Sequence, residues 1–285
     1  MVQKLVIGLA LAALAMGAGI YFSGQRVKEQ AIIKAAVERQ LPEVERLIKE
    51  GADVNVQADN GITALMAASS NGDDRMVKLL LANGADINLQ CKKGISALID
   101  ATARGHSAVV GALLDAGANV NAQDANGTTA LMGASLEGNT EIVALLLKRG
   151  ADANKSDKTG ATALIRAVQK GKSDAARRLV ESGADVDAKD KEGFTALMYA
   201  APLGNPEVME LLLDKGANVN ARDNTGATAL MLASYVGRTT AVKILLKRGA
   251  DINAEEKGGK TALMWASHNK HTEVMDELKA AGARK

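Results

Sequence analysis

Apolar residues in this chain come in short clusters that recur with a fixed order and spacing. One cluster follows a Gly-x-Thr step, as in Ala130, Leu131 and Met132, and the next carries Ile142, Val143, Leu145, Leu146 and Leu147. Glycines separate the clusters at Gly72, Gly105, Gly138, Gly171, Gly204 and Gly237. Glycine accepts the left-handed conformation common just past a helix C-terminus, so each is read as a stop. The Thr two residues after the repeat glycine (Thr63, Thr129, Thr162, Thr195, Thr228, Thr261) suits an N-cap, because its hydroxyl accepts from an orphaned backbone N–H. Asp124, Asp157, Asp190 and Asp223 lie three residues before a repeat glycine, the arrangement of a type I turn. The unit predicted is turn, helix, turn, helix.

The unit repeats. Gly-x-Thr-Ala-Leu begins at Gly61, Gly94, Gly127, Gly160, Gly193, Gly226 and Gly259, every 33 residues, with Ser96 the exception at the Thr position. Gly-Ala-Asp/Asn-x-Asn begins at Gly51, Gly84, Gly117, Gly150, Gly183 (Asp187 replacing Asn), Gly216 and Gly249, with an echo at Gly282. Two interlocked motifs in one register mark a tandem array.

On these motifs the chain resembles the ankyrin-repeat family over roughly Lys28 to Lys285. The resemblance implies an all-α repeat solenoid, an array of helix-turn-helix units joined by β-turn fingers. It also implies a non-enzymatic scaffold that binds a protein partner through the finger and inner-helix face. One departure is systematic: Thr-Ala-Leu-Met or Thr-Ala-Leu-Ile stands where the family often has Thr-Pro-Leu-His. Met66, Met132, Met198, Met231 and Met264 are therefore expected to pack between repeats.

Solenoid ends need polar outer faces. Glu277 and Lys279 fall where Leu145 and Leu147 stand in an internal repeat, which reads as a C-terminal cap; Glu43 and Arg46 mark an N-terminal one. The expected organisation is an anchor or uncleaved signal at residues 1–24, a helical half-repeat cap at 25–58 and seven repeats at 59–285. Leu5 to Phe22 is an uncharged apolar run flanked by Lys4 and Arg26. As a helix it reaches about 27 Å, near the lower limit for a bilayer. A single-pass anchor in a bacterial inner membrane, with the array exported, is one reading. A cleaved signal peptide releasing a periplasmic or secreted binder or inhibitor is the other.

The balance of charge, +2 overall, offers no basic stripe for nucleic acid. Gly171-Lys172-Ser173 lacks the earlier glycine of a phosphate loop, since Arg166 stands there. His268, His271 and Glu273 have a spacing that could bring metal ligands together but no fourth ligand in view, and His106 has no Cys nucleophile or Ser constellation nearby. Cys91 replaces the turn Asp, and Lys92-Lys93 reads as a solvated tip. No cofactor, metal, catalytic residue or small-molecule substrate is expected.

Aromatic residues outside the apolar leader are confined to Phe194, Tyr199, Tyr235 and Trp265. They occupy repeat positions whose polarity varies from unit to unit, as at Asp100, Gly133, Arg166 and Leu232 for the position of Tyr199 and Trp265. Phe194, Tyr199, Pro202, Leu203, Leu232, Tyr235, Val236 and Trp265 are therefore expected to form a partner-binding patch. The alternative is that Tyr199 and Trp265 wedge between neighbouring first helices.

Overall fold

The computed structural model describes residues 29–284; the apolar run at 5–22 lies outside them. Helical residues 29–37 (α1) are followed by α2 (Leu41–Lys49), α3 (Ala64–Ser70), α4 (Asp74–Ala82), α5 (Ala97–Ala103) and α6 (Ser107–Asp115). Then come α7 (Ala130–Glu137), α8 (Thr140–Lys148), α9 (Ala163–Gln169), α10 (Ser173–Glu181) and α11 (Ala196–Leu203). The last are α12 (Pro206–Asp214), α13 (Ala229–Val236), α14 (Thr239–Lys247), α15 (Ala262–His268) and α16 (Thr272–Ala280). This is an all-α repeat solenoid of helix-turn-helix units. Among the described residues, β-structure is limited to isolated bridges such as Gln123 to Thr129 at the finger bases. The chain divides between Asn119 and Val120 into two compact units, the first holding α1–α6 and the second α7–α16.

Each first helix starts where its cap lies. The hydroxyls of Thr63, Ser96, Thr129, Thr162, Thr195, Thr228 and Thr261 accept from the backbone N–H three residues on, at 3.2–3.4 Å. Caps of this kind are worth about 1 kcal/mol each. The helix stops at a left-handed residue, such as Gly138 (φ 81°). At the equivalent register the outermost units use Arg39 and Lys270, both at φ 60°, where a Cβ makes the conformation costly.

The core of each unit lies between paired helices. In the first unit Ile32, Val44, Leu65, Met76, Leu80, Leu98 and Leu113 are fully buried. In the second Leu131, Ile142, Leu164, Leu197, Leu212, Leu230 and Leu245 fill the same register. Met66, Met132, Met198 and Met231 are buried as expected, but Met264 is 41% exposed, a correction to its assignment as core. Met231 lies on α13, which packs against α15, whereas among the described residues no later first helix covers Met264. Beside it, Leu263, Met264 and Met275 line a hollow of about 440 Å3, with Lys279 at its wall.

Polar ladders fix the spacing of successive repeats. The Asn ending each Gly-Ala motif accepts through Oδ1 from the backbone one repeat later: Asp86 N–H to Asn55 at 2.6 Å and Asp251 N–H to Asn220 at 2.7 Å. Its amide can also donate to the following Gly carbonyl, as from Asn121 to Gly150 at 3.1 Å and Asn220 to Gly249 at 3.2 Å. Finger tips are joined in the same manner, with Lys158 N–H to Asn126 at 2.8 Å and Lys191 N–H to Thr159 at 2.9 Å. Gly160 allows this approach twice over: its φ is 83°, and a Cβ there would sit 2.8 Å from the Lys191 nitrogen.

Candidate protein-interaction surface

The eight residues expected to form the patch stand on α11, α13, α15 and the finger before α11, all within the second unit. Their positions follow from the finger. The Asp190 carbonyl accepts from Gly193 N–H at 3.0 Å, closing the turn, while its carboxylate Oδ1 accepts from Glu192 N–H at 3.1 Å and Phe194 N–H at 2.9 Å. Asp124, Asp157 and Asp223 brace their own turns alike. Phe194 is thereby held at the base of the finger, with its ring 5.2 Å from that of Tyr199 at 39°.

Tyr199 is not a free contact residue. It is half-buried, and its hydroxyl donates to Asp190 Oδ2 at 2.6 Å. Burial, reinforced by the Asp190 carboxylate, pushes its pKa up to about 12. One repeat earlier Arg166 occupies the same position and performs the same task, donating from Nε to Asp157 Oδ2 at 3.0 Å. Burial would raise the Asp157 pKa, but hydrogen bonds from Thr159 and Arg166 outweigh it and hold the carboxyl below the usual range. In these two repeats the first-helix position supplies a latch to the turn Asp nine residues upstream, through a guanidinium in one and a phenol in the other.

Trp265, again at that position, has a different setting. Its ring meets Tyr235 edge-on at 5.3 Å and 83°, and His268 at 6.3 Å. Lys260 Nζ stands 4.0 Å over its centroid, a cation–π arrangement. Trp265 and Phe194 are half-buried, as are Pro202 and Leu232; Tyr235 is 50%, Leu203 48% and Val236 39% exposed. Leu232 lies on α13 at the register shared by Tyr199 on α11 and Trp265 on α15, and α13 packs against both helices. The variable positions therefore line neighbouring helices of one unit.

The exposed members are rigidly mounted. The carbonyl of Tyr235 accepts from Asn269 Nδ2 at 2.8 Å and His271 Nε2 at 3.0 Å, and that of Pro202 from Arg238 Nε at 2.9 Å. Each helix end is held by the following repeat, which limits the ordering cost of a contact made there. His268 and His271 are thus a ring contact and a helix-end brace, and no cluster of three metal-ligating side chains occurs among the described residues. Lys260 and Met264 join this surface without a periodicity signal to mark them. Lysine after a repeat glycine reads as solvated, and the other methionines at this register are core.

Repeated helix pairs, finger turns and variable apolar side chains on the first helices define a repeat protein of the interaction-module class. The family described as Ankyrin repeats (3 copies) matches residues 31–124, 117–190, 182–256 and 220–285. The chain belongs to the ankyrin-repeat family. No curated protein matches it.

Proposed function

We propose that this ankyrin array is a non-enzymatic protein-interaction scaffold, tethered to a bacterial inner membrane through residues 5–22 with the array exported. Its partner binds the finger and first-helix face of the second unit. The observation carrying this reading is the exposure of Tyr235, Leu203 and Val236 on braced helix ends next to the Trp265 ring. Single exposed apolar residues are ordinary, whereas a contiguous group is a mark of a contact surface. For the tether, the support is the length and apolarity of Leu5 to Phe22, which lie outside the described residues; no helix among the described residues is long and apolar enough to cross a membrane.

Photo-crosslinking in native membranes tests the reading. A benzophenone amino acid at position 203 should capture a defined protein partner, and the capture should fall when Trp265 is changed to Ala. The same probe at exposed Lys148, on a second helix, should not give that product. Equal products from both positions would argue against this surface as the binding face.

A further inference from the structure

We propose that the first unit carries a separate binding site for an acidic peptide segment that inserts one aliphatic or aromatic side chain. The site is a cavity of about 430 Å3 over α3 and α5, between the fingers at 58–61 and 91–94. That volume lies within the range of about 300–1,000 Å3 found for ligand pockets. Ile62, Met66 and Ile95 supply its apolar lining, with the exposed Val37 at one side. Lys92, Lys93 and Arg104 contribute three positive charges; Asp100, the one acidic lining residue, is already engaged by Arg104 Nε at 3.2 Å. The cavity therefore has a net charge of plus two. Lys92 and Lys93 are exposed and have no ion-pair partner among the described residues.

Comparison with the other repeats shows why this field is local. In the fingers of the second unit the turn position carries Asp124, Asp157, Asp190, Asp223 or Glu256, each a carboxylate that would repel an acidic ligand. The two fingers bordering the cavity have Ala58 and Cys91 there instead. Asp59, at the first finger's tip, does not line the cavity. Lys92-Lys93 is also the tip that carries two lysines, where the others read Asp59-Asn60, Ala125-Asn126, Lys158-Thr159, Lys191-Glu192, Asn224-Thr225 and Lys257-Gly258. The walls are set in advance: Lys92 N–H donates to the Asn60 carbonyl at 3.0 Å, and Asn71 Nδ2 to the Ala36 and Val37 carbonyls at 3.0 and 3.1 Å. An apolar floor under a cationic rim fits a hydrophobic side chain flanked by Asp or Glu. It lacks the aromatic platforms on which nucleobases stack.

The test uses the full chain in nanodiscs of zwitterionic lipid and a fluorescein-labelled Asp-Glu-Leu-Glu-Asp peptide, read by anisotropy. Saturable binding is expected, weakening with salt and when the peptide Leu is replaced by Ala. Lys92→Glu with Lys93→Glu should weaken it by about tenfold or more, through loss of charge complementarity. If that pair alters the circular dichroism, Lys92→Ala with Lys93→Ala should give a smaller loss in the same direction. Tyr235→Ala and Trp265→Ala should leave peptide binding unchanged, so failure of the aromatic surface and failure of this site are separable. The proposal is overturned if no saturable binding occurs, if a Lys-Lys-Leu-Lys-Lys peptide binds equally well, or if charge reversal has no effect. Charge-dependent binding to phosphatidylserine vesicles without peptide binding would assign the basic tip to a lipid surface and also overturn it.

Discussion

The aromatic residues of the second unit divide by what their side chains already touch. Tyr235 and Trp265 present ring surface from a braced mounting, so truncating either should weaken partner binding by about 1–3 kcal/mol, in the hot-spot range, while costing less stability than Leu212→Ala in the core. Parallel binding and melting measurements check this; normal binding with early melting would make the pair a packing contact. Tyr199 behaves otherwise, because its hydroxyl is committed to Asp190. Its folded pKa, about 12, lies above that of a free tyrosine, so the fold favours the protonated phenol. The resulting stability is fully present below the unfolded pKa, about 10, and is lost as pH rises through the folded value. Alkaline titration of tyrosinate absorbance should show a high ionisation that is missing from Tyr199→Phe, and the variant's stability should depend less on pH in that window. Neighbouring positions thus have different roles although one aromatic signal marked them in the sequence.

At the scale of the element, much was legible because the information is local. A Thr hydroxyl, a left-handed glycine and a turn Asp each act within four residues, and the structure has all three at their repeat positions. Contacts made over longer separations were not legible. The latch from Tyr199 to Asp190 spans nine residues and depends on the finger folding back over its helix, while the cavity at Ile62 and Ile95 needs two repeats to exist. Met264 misled because its sequence register matches buried methionines, whereas among the described residues no later first helix packs over it. The Asn ladder was visible as a motif, but its physical task appears only when repeats stack. That task isolates Asp187, which accepts from Asn218 N–H at 2.8 Å but as a carboxylate cannot donate to a Gly carbonyl as Asn220 does. Asp187→Asn should therefore stabilise the protein, and because the site is exposed the gain should lie at the low end of about 0.5–1.5 kcal/mol. Chemical denaturation with an unchanged m-value would register it; destabilisation would show that the ladder is set by packing.

For the molecule, linear stacking makes the repeat the unit of tolerance, since stability sums unit and nearest-neighbour terms. Deleting Lys158 to Asp190 removes α9 and α10 and rejoins Asp157 to Lys191, restoring the Asp-Lys step found at Asp157-Lys158. The product should remain helical by circular dichroism, whereas deleting Ser173 to Asp190 alone should unfold the repeats on either side, because it removes one helix of a pair and breaks the register. Equal loss of helicity in the two would contradict modular stacking. The leader sets a second whole-molecule expectation. If Leu5 to Phe22 holds the chain in a bilayer, the full-length protein should stay in the membrane fraction through a carbonate wash, and a chain starting at Gln25 should be soluble. Residues 23–28 leave little slack before α1, so partners must be reached close to the bilayer surface. Lengthening that segment with a flexible Gly-Ser insert, which extends reach roughly as the square root of its length, should then widen the set of crosslinked proteins without altering affinity for an isolated partner. A native mature chain beginning near Ala18 would instead identify a released binder, for which the insert changes nothing.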